Sequence, residues 1–107
     1  MGWVAVCRRQ DIPAGRGWPV RVGSLQIAVF DSDGGLRAAE NVCRHVGNPI
    51  DDGAVIGDTV TCPWHGWRYD LRNGDHLTVF GRRPGLRTYA VRTVGEIVEV
   101  QVDDANG

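Results

Sequence analysis

The apolar residues of this chain arrive in short, alternating runs, and fifteen glycines and five prolines cut between them. That punctuation constrains the fold more than any other feature. Alternation places successive side chains on opposite faces of a strand, whereas a helix needs apolar positions three and four apart over a longer window. Residues 3–7, 19–22 and 25–30 read as strands. Residues 36–42 return from the third of these through the Asp33-Gly34-Gly35 turn signal, a hairpin. Residues 86–91 and 96–102 alternate around Gly95 and predict a second hairpin. The expectation is an all-β fold, a small antiparallel sandwich or barrel.

Charge removes several classes of function. Twelve basic and thirteen acidic residues leave a net charge of -1, and no basic face suits a phosphate backbone, so nucleic acid is not an expected partner. All the basic residues are Arg. The longest uncharged stretches, 22–30 and 59–67, are nine residues each, far short of the roughly 20 that span a bilayer as a helix. No membrane partner is expected. Arg8-Arg9 is followed by polar and charged residues rather than an apolar run, which argues against an export signal. A cytoplasmic location is expected.

The middle of the chain, from about residue 41 to about residue 83, is different. Its strands shorten, and two close pairs of metal-binding residue types fall inside it: Cys43-Arg44-His45 and, sixteen residues later, Cys62-Pro63-Trp64-His65. Each pair precedes a loop signal, Gly47-Asn48-Pro49 and Gly66. Metal sites favour that setting, because loops let side chains converge while flanking strands fix them. Two Cys and two His suit zinc as well as iron, although zinc modules more often pair Cys with Cys and His with His. A Cys43–Cys62 disulfide fits poorly with an intracellular chain. Cys7, in the first strand pattern, reads as a structural thiol, and His76 as a surface turn residue.

The two boxes extend to Cys43-Arg44-His45-Val46-Gly47-Asn48-Pro49 and Cys62-Pro63-Trp64-His65-Gly66-Trp67-Arg68-Tyr69-Asp70. In this form they resemble the Rieske iron–sulfur proteins, whose 2Fe–2S cluster is held by two Cys and two His. The resemblance covers nearly the whole chain. It implies a single Rieske domain over 1–107, an antiparallel β base with a cluster-binding subdomain inserted at approximately 41–83. Residues 86–91 and 95–102 look like the family's closing hairpin. Gly81-Arg82-Arg83-Pro84-Gly85 looks like its third, proline-containing loop over the cluster.

By the same resemblance, Cys43 and Cys62 bind the inner iron, and His45 and His65 the outer one. Trp64, Trp67, Tyr69 and Pro84 surround them. Tyr69 matches the family position whose hydroxyl can reach a ligand thiolate. Asn48 and Trp64 stand where high-potential members carry a disulfide, and Trp67 where they carry a Ser. The implied potential is nearer about -150 than about +300 mV. Arg44 is either a steering charge for an acidic partner or an ordinary solvated one.

The same comparison argues against an enzyme. A terminal oxygenase carries a second iron on two His and a carboxylate, and only His76 is left over. Gly15-Arg16-Gly17 lacks the third glycine of a dinucleotide loop. The expected function is one-electron transfer from an NAD(P)H-dependent flavin reductase to a terminal, aromatic-ring-hydroxylating type oxygenase. The alternative is the Rieske-like small subunit of an NAD(P)H-dependent nitrite reductase.

Overall fold

The computed structural model describes residues 2–44, 47–64, 66–77 and 85–102. Ten strands run through them: β1 (Gly2–Arg8), β2 (Gly17–Val22), β3 (Leu25–Ser32), β4 (Gly35–Glu40), β5 (Ala54–Ile56), β6 (Thr59–Thr61), β7 (Arg68–Asp70), β8 (Thr88–Tyr89), β9 (Val91–Val94) and β10 (Ile97–Val102). The only helical element among the described residues is a single 3-10 turn, Arg9–Asp11. Three antiparallel sheets result, in the orders β1-β10-β9, β2-β3-β4-β8 and β5-β6-β7. The all-β, antiparallel expectation therefore holds.

The β3–β4 hairpin forms where the turn signal placed it. Ser32 pairs with Gly35, leaving Asp33 and Gly34 as a two-residue loop. Gly35 has φ +110°, a conformation that side chains with a Cβ avoid. The closing hairpin differs from the sequence expectation. Residues 86–91 are not one strand. Thr88 and Tyr89 pair with Ala39 and Ala38 of β4, and only from Val91 onward does the chain pair with β10. The chain passes from one sheet to another at Ala90. Alternation reports which face a residue occupies but not which sheet supplies its partner, so one periodic run spans two sheets.

The middle sheet divides the core in two. Ile27 and Val29 of β3 and Ala38 of β4 pack with Ile12, Val98, Val100 and Val102 against the β1-β10-β9 sheet. Ala28 and Phe30, from the other face of β3, and Ala39 of β4 pack with Cys43, Ile50, Val60, Cys62, Tyr69, Leu71 and Leu86. β3 is thus buried on both faces along Ile27, Ala28, Val29 and Phe30. Its unbroken apolar run is what a doubly covered strand requires. Gly17 pairs with Phe30, and a Cβ there would fall 2.6 Å from the Phe30 ring. Glycine keeps that second core closed.

Cys7 belongs to the first core. A register shift between Ala5 and Cys7 breaks the alternation of β1, so Val6 and Cys7 both pack against the sandwich cluster. Burial, and secondarily the Asp11 carboxylate, push its thiol above the ordinary range. It behaves as a half-buried apolar side chain. No helix among the described residues is long and apolar enough to cross a membrane.

Candidate metal centre

Cys43 and Cys62 head two loops of the same construction. In the first, the Cys43 N–H donates to Asn48 O at 2.6 Å and Cys43 O accepts the Gly47 N–H at 2.7 Å. In the second, the Cys62 N–H donates to Trp67 O at 2.7 Å and Cys62 O accepts the Gly66 N–H at 3.0 Å. Gly47 and Gly66 have φ of +79° and +72°, the left-handed conformation that closes such a turn. The equivalence follows from sequence: each Cys has its Gly four residues on. It places both thiols in one buried cluster, 0% and 1% exposed, without a disulfide.

The first loop is held by Asn41. Its side-chain carbonyl accepts the N–H groups of Ile50 (2.8 Å) and Asp51 (3.0 Å), and its amide donates to the Asp51 carboxylate at 2.9 Å. Asn41 is 7% exposed, and these bonds meet the requirement that a buried amide be satisfied. The second loop lies between β6 and β7, whose pairing of Thr61 with Arg68 fixes its ends.

Tyr69 joins the two. It is fully buried, and its hydroxyl lies 3.6 Å from the Cys43 sulfur. The same hydroxyl oxygen accepts the Arg44 N–H at 2.9 Å. With the oxygen already serving as acceptor, its proton is free for sulfur. Burial first, and the bond to Cys43 second, push the Tyr69 pKa well above the ordinary phenol range. The hydroxyl stays protonated and remains a donor.

The other sequence-predicted residues divide. Trp67 packs against the site cluster, whereas Trp64 is 60% exposed beside a cleft of about 480 Å³ lined by Pro49, Asp51, Asp52, Pro63 and Trp64. His45, His65 and Pro84 lie outside the described residues. Among the described residues no group of three or more His, Cys, Asp or Glu is placed to hold a metal.

Two expectations are corrected. His76 is not a surface turn residue: it bridges to Tyr69 and sets its ring edge-on to Trp67 and Tyr69, at 4.4 and 5.1 Å between centroids. Sequence carried no signal for this, since the pairing depends on the chain folding back after β7. Arg44 is not a free solvated charge. Its guanidinium donates to the Gly85 carbonyl at 3.0 Å and to the Glu40 carboxylate at 2.6 Å.

The donor set fits an iron–sulfur cluster. Two buried, unlinked thiols on matched loops are soft ligands shielded from water, and a phenol hydroxyl lies beside one of them. Residues 2–90 match the Rieske 2Fe-2S domain. The chain belongs to this family, and the family implies a Rieske-type 2Fe–2S cluster.

Its relatives are of more than one kind. It is 30% identical over 84% of its length to the ferredoxin component of naphthalene 1,2-dioxygenase/salicylate 5-hydroxylase systems from a Ralstonia species, covering 86% of that protein. It is 34% identical over 77% of its length to the oxygenase component of 3-ketosteroid-9-alpha-monooxygenase from Mycobacterium tuberculosis, but spans only 22% of that protein. Among solved structures, a putative NADH-dependent nitrite reductase small subunit from Mycobacterium tuberculosis superposes with a TM-score of 0.81 at 27% identity, over 95% of this chain and 96% of that one.

Proposed function

We propose that the chain is a one-electron carrier. It accepts electrons from an NAD(P)H-dependent flavin reductase and delivers them to a terminal oxygenase of the aromatic-ring-hydroxylating type, with no catalytic residue of its own. The observation that carries this is the pair of buried thiols on matched loops, with the Tyr69 hydroxyl 3.6 Å from Cys43. The near full-length likeness to a ferredoxin component supports the choice of partners.

In this proposal Cys43, His45, Cys62 and His65 hold the cluster, and 41–83 is the cluster-binding part of one Rieske domain. When bound, the cluster supplies a one-electron couple. The chain's own residues then do three things. The site cluster of β3, β4 and β7 keeps water from Cys43 and Cys62. Tyr69 donates to the Cys43 sulfur, with its oxygen fixed by the Arg44 N–H. Trp64 and the adjoining cleft offer partners an aromatic and acidic contact face, and transient contact there suits a carrier in the cytoplasm.

Stoichiometric titration of the isolated, cluster-loaded protein with a reductant tests this. Uptake of one electron per chain, with a Rieske-type EPR signal, is expected. A colourless protein that binds zinc and takes up no electron would overturn the proposal.

The second reading is a stable small subunit of an NAD(P)H-dependent nitrite reductase, favoured by the superposition on such a subunit over nearly its full length. Neighbouring genes for a flavin reductase and an oxygenase support the first reading. A neighbouring sirohaem reductase gene supports the second.

A further inference from the structure

Arg44 lies between two of the proposed ligands in sequence, yet its side chain turns to two other parts of the fold. One nitrogen, Nε, donates to the Gly85 carbonyl at 3.0 Å, and another, Nη2, to Glu40 Oε1 at 2.6 Å. The same Glu40 oxygen accepts the Arg87 N–H at 2.5 Å, and the Glu40 N–H donates to Arg87 O at 2.8 Å. The end of β4, the first ligand loop and segment 85–87 therefore meet at one ion pair.

Segment 85–87 is itself anchored from behind. The Leu86 N–H donates to Gly74 O at 2.8 Å. A Cβ on Gly85 would collide with the Gly74 carbonyl, and one on Gly74 with the Leu86 carbonyl. The two backbones touch because both residues lack side chains.

From these contacts we infer that Glu40 and Arg44 form a clamp that positions the first ligand loop and balances charge beside the cluster, an inference that rests on the proposed carrier function. Arg44 is a positioning residue through two routes. Its backbone N–H holds the Tyr69 hydroxyl that faces Cys43, and its guanidinium ties that same backbone to residues 40 and 85. A planar guanidinium can serve a carboxylate and a carbonyl at once from fixed directions, which a single ammonium does less well.

Stability alone does not account for the pair. Its side chains are 36% and 25% exposed, and ion pairs so placed add little to folding. Their electrostatic effect at the adjacent site is another matter. Together the charges cancel; singly, each acts on a cluster that gains an electron.

The clamp predicts shifts of opposite sign. Glu40→Gln leaves an unbalanced cation, stabilises the reduced cluster and raises the midpoint potential. Arg44→Gln leaves an unbalanced anion and lowers it. The double variant returns toward the wild-type midpoint. Arg44→Lys, which keeps the charge, recovers most of the potential with little change in thermal stability.

Protein-film voltammetry at fixed pH reads the midpoints, EPR the cluster environment, and thermal melting the fold. Shifts of the same sign in both single variants, or none in either, would overturn the clamp. If Arg44→Gln fails to retain a cluster, Glu40→Gln and Arg44→Lys decide: an unmoved or lowered midpoint for Glu40→Gln refutes the charge balance. A wild-type protein that takes up no electron would instead sink the carrier function, and that result precedes any variant.

Discussion

The two faces of β3 give two cores of unlike character. On one face, Ile27 and Val29 pack with Val98, Val100 and Val102 in an aliphatic cluster supported by the β1-β10-β9 sheet, whose strands are four to seven residues long. On the other, Ala28 and Phe30 meet Cys43, Cys62 and Tyr69, and the supporting strands are three residues long. The first face gains its order from longer strand ladders and apolar area. The second relies on individual hydrogen bonds: Asn41 to the 50–51 backbone, Arg44 to Gly85, and the matched bonds of the two cysteine loops. A face that buries two thiols and a phenol hydroxyl cannot be closed by aliphatic packing alone. Specific polar contacts do the positioning there, and the aliphatic face provides the rigid support.

The largest expected effect separates the faces outright. Cys43→Ser or Cys62→Ser should abolish cluster incorporation, because a hydroxyl is a poor ligand for sulfide-bridged iron. Cys7→Ser, on the aliphatic face, should retain it. Visible absorption and EPR of the purified variants check this, and a wild-type spectrum from either site variant would refute the ligand assignment.

Next comes a variant that damages the fold while sparing the site. Ile27→Ala removes a fully buried side chain and should cost about 2–5 kcal/mol, measured by denaturant unfolding. The midpoint potential of the folded fraction should stay where it is. A shifted midpoint would mean that the two cores are mechanically coupled through β3.

Tyr69→Phe does the reverse. A donor to a ligand sulfur stabilises the reduced site more, since reduction adds negative charge. A bond to a charged group is worth about 1.5–3 kcal/mol, only part of which differs between oxidation states. About 59 mV corresponds to roughly 1.4 kcal/mol for one electron. The midpoint should fall by some tens of millivolts with the cluster retained. An unchanged or higher value in voltammetry would leave Tyr69 as packing only.

The smallest effect concerns the link between the regions. Asp58, in the turn between β5 and β6, accepts the Ser32 hydroxyl at 2.7 Å and the Gly34 N–H at 3.3 Å. It also lies 3.5 Å from Arg37 Nε. The Ser32 bond first, then the Gly34 bond and the Arg37 charge, hold its carboxyl below the ordinary range, against some desolvation. A folded-state pKa below the unfolded one means that the stabilisation is fully present above the ordinary carboxylate pKa, about 4. It is lost as pH falls through the lower, folded value. Asp58→Asn should therefore flatten the acid limb of stability against pH and leave neutral-pH cluster properties alone. Identical acid limbs would show that the Asp58 charge is not part of the link.

Much of this molecule was legible in one dimension. Short apolar runs bounded by turn residues located β1 to β4, and strict alternation located β10, because both signals are local. The Cys and His boxes stood out because the two residue types of each pair are close neighbours in sequence, and the Gly four residues beyond each Cys carries the turn that closes its loop. Segment 86–91 exposed the limit. Its period predicts one strand, but its division between β4 and β10 depends on which edges lie nearby. His76 beside Tyr69, and Arg44 between Glu40 and Gly85, were likewise decided only by the tertiary structure. Those contacts join residues brought together by chain reversal, and such pairings leave no periodic trace. The sequence determined the outer strands, the Cys and His boxes and the family; the folded chain decided where the short middle strands lie, which sheet each strand joined and which charges the site keeps paired. Local sterics and side-chain alternation act within a few residues, whereas hydrogen bonds between distant segments exist only after the sheets have assembled.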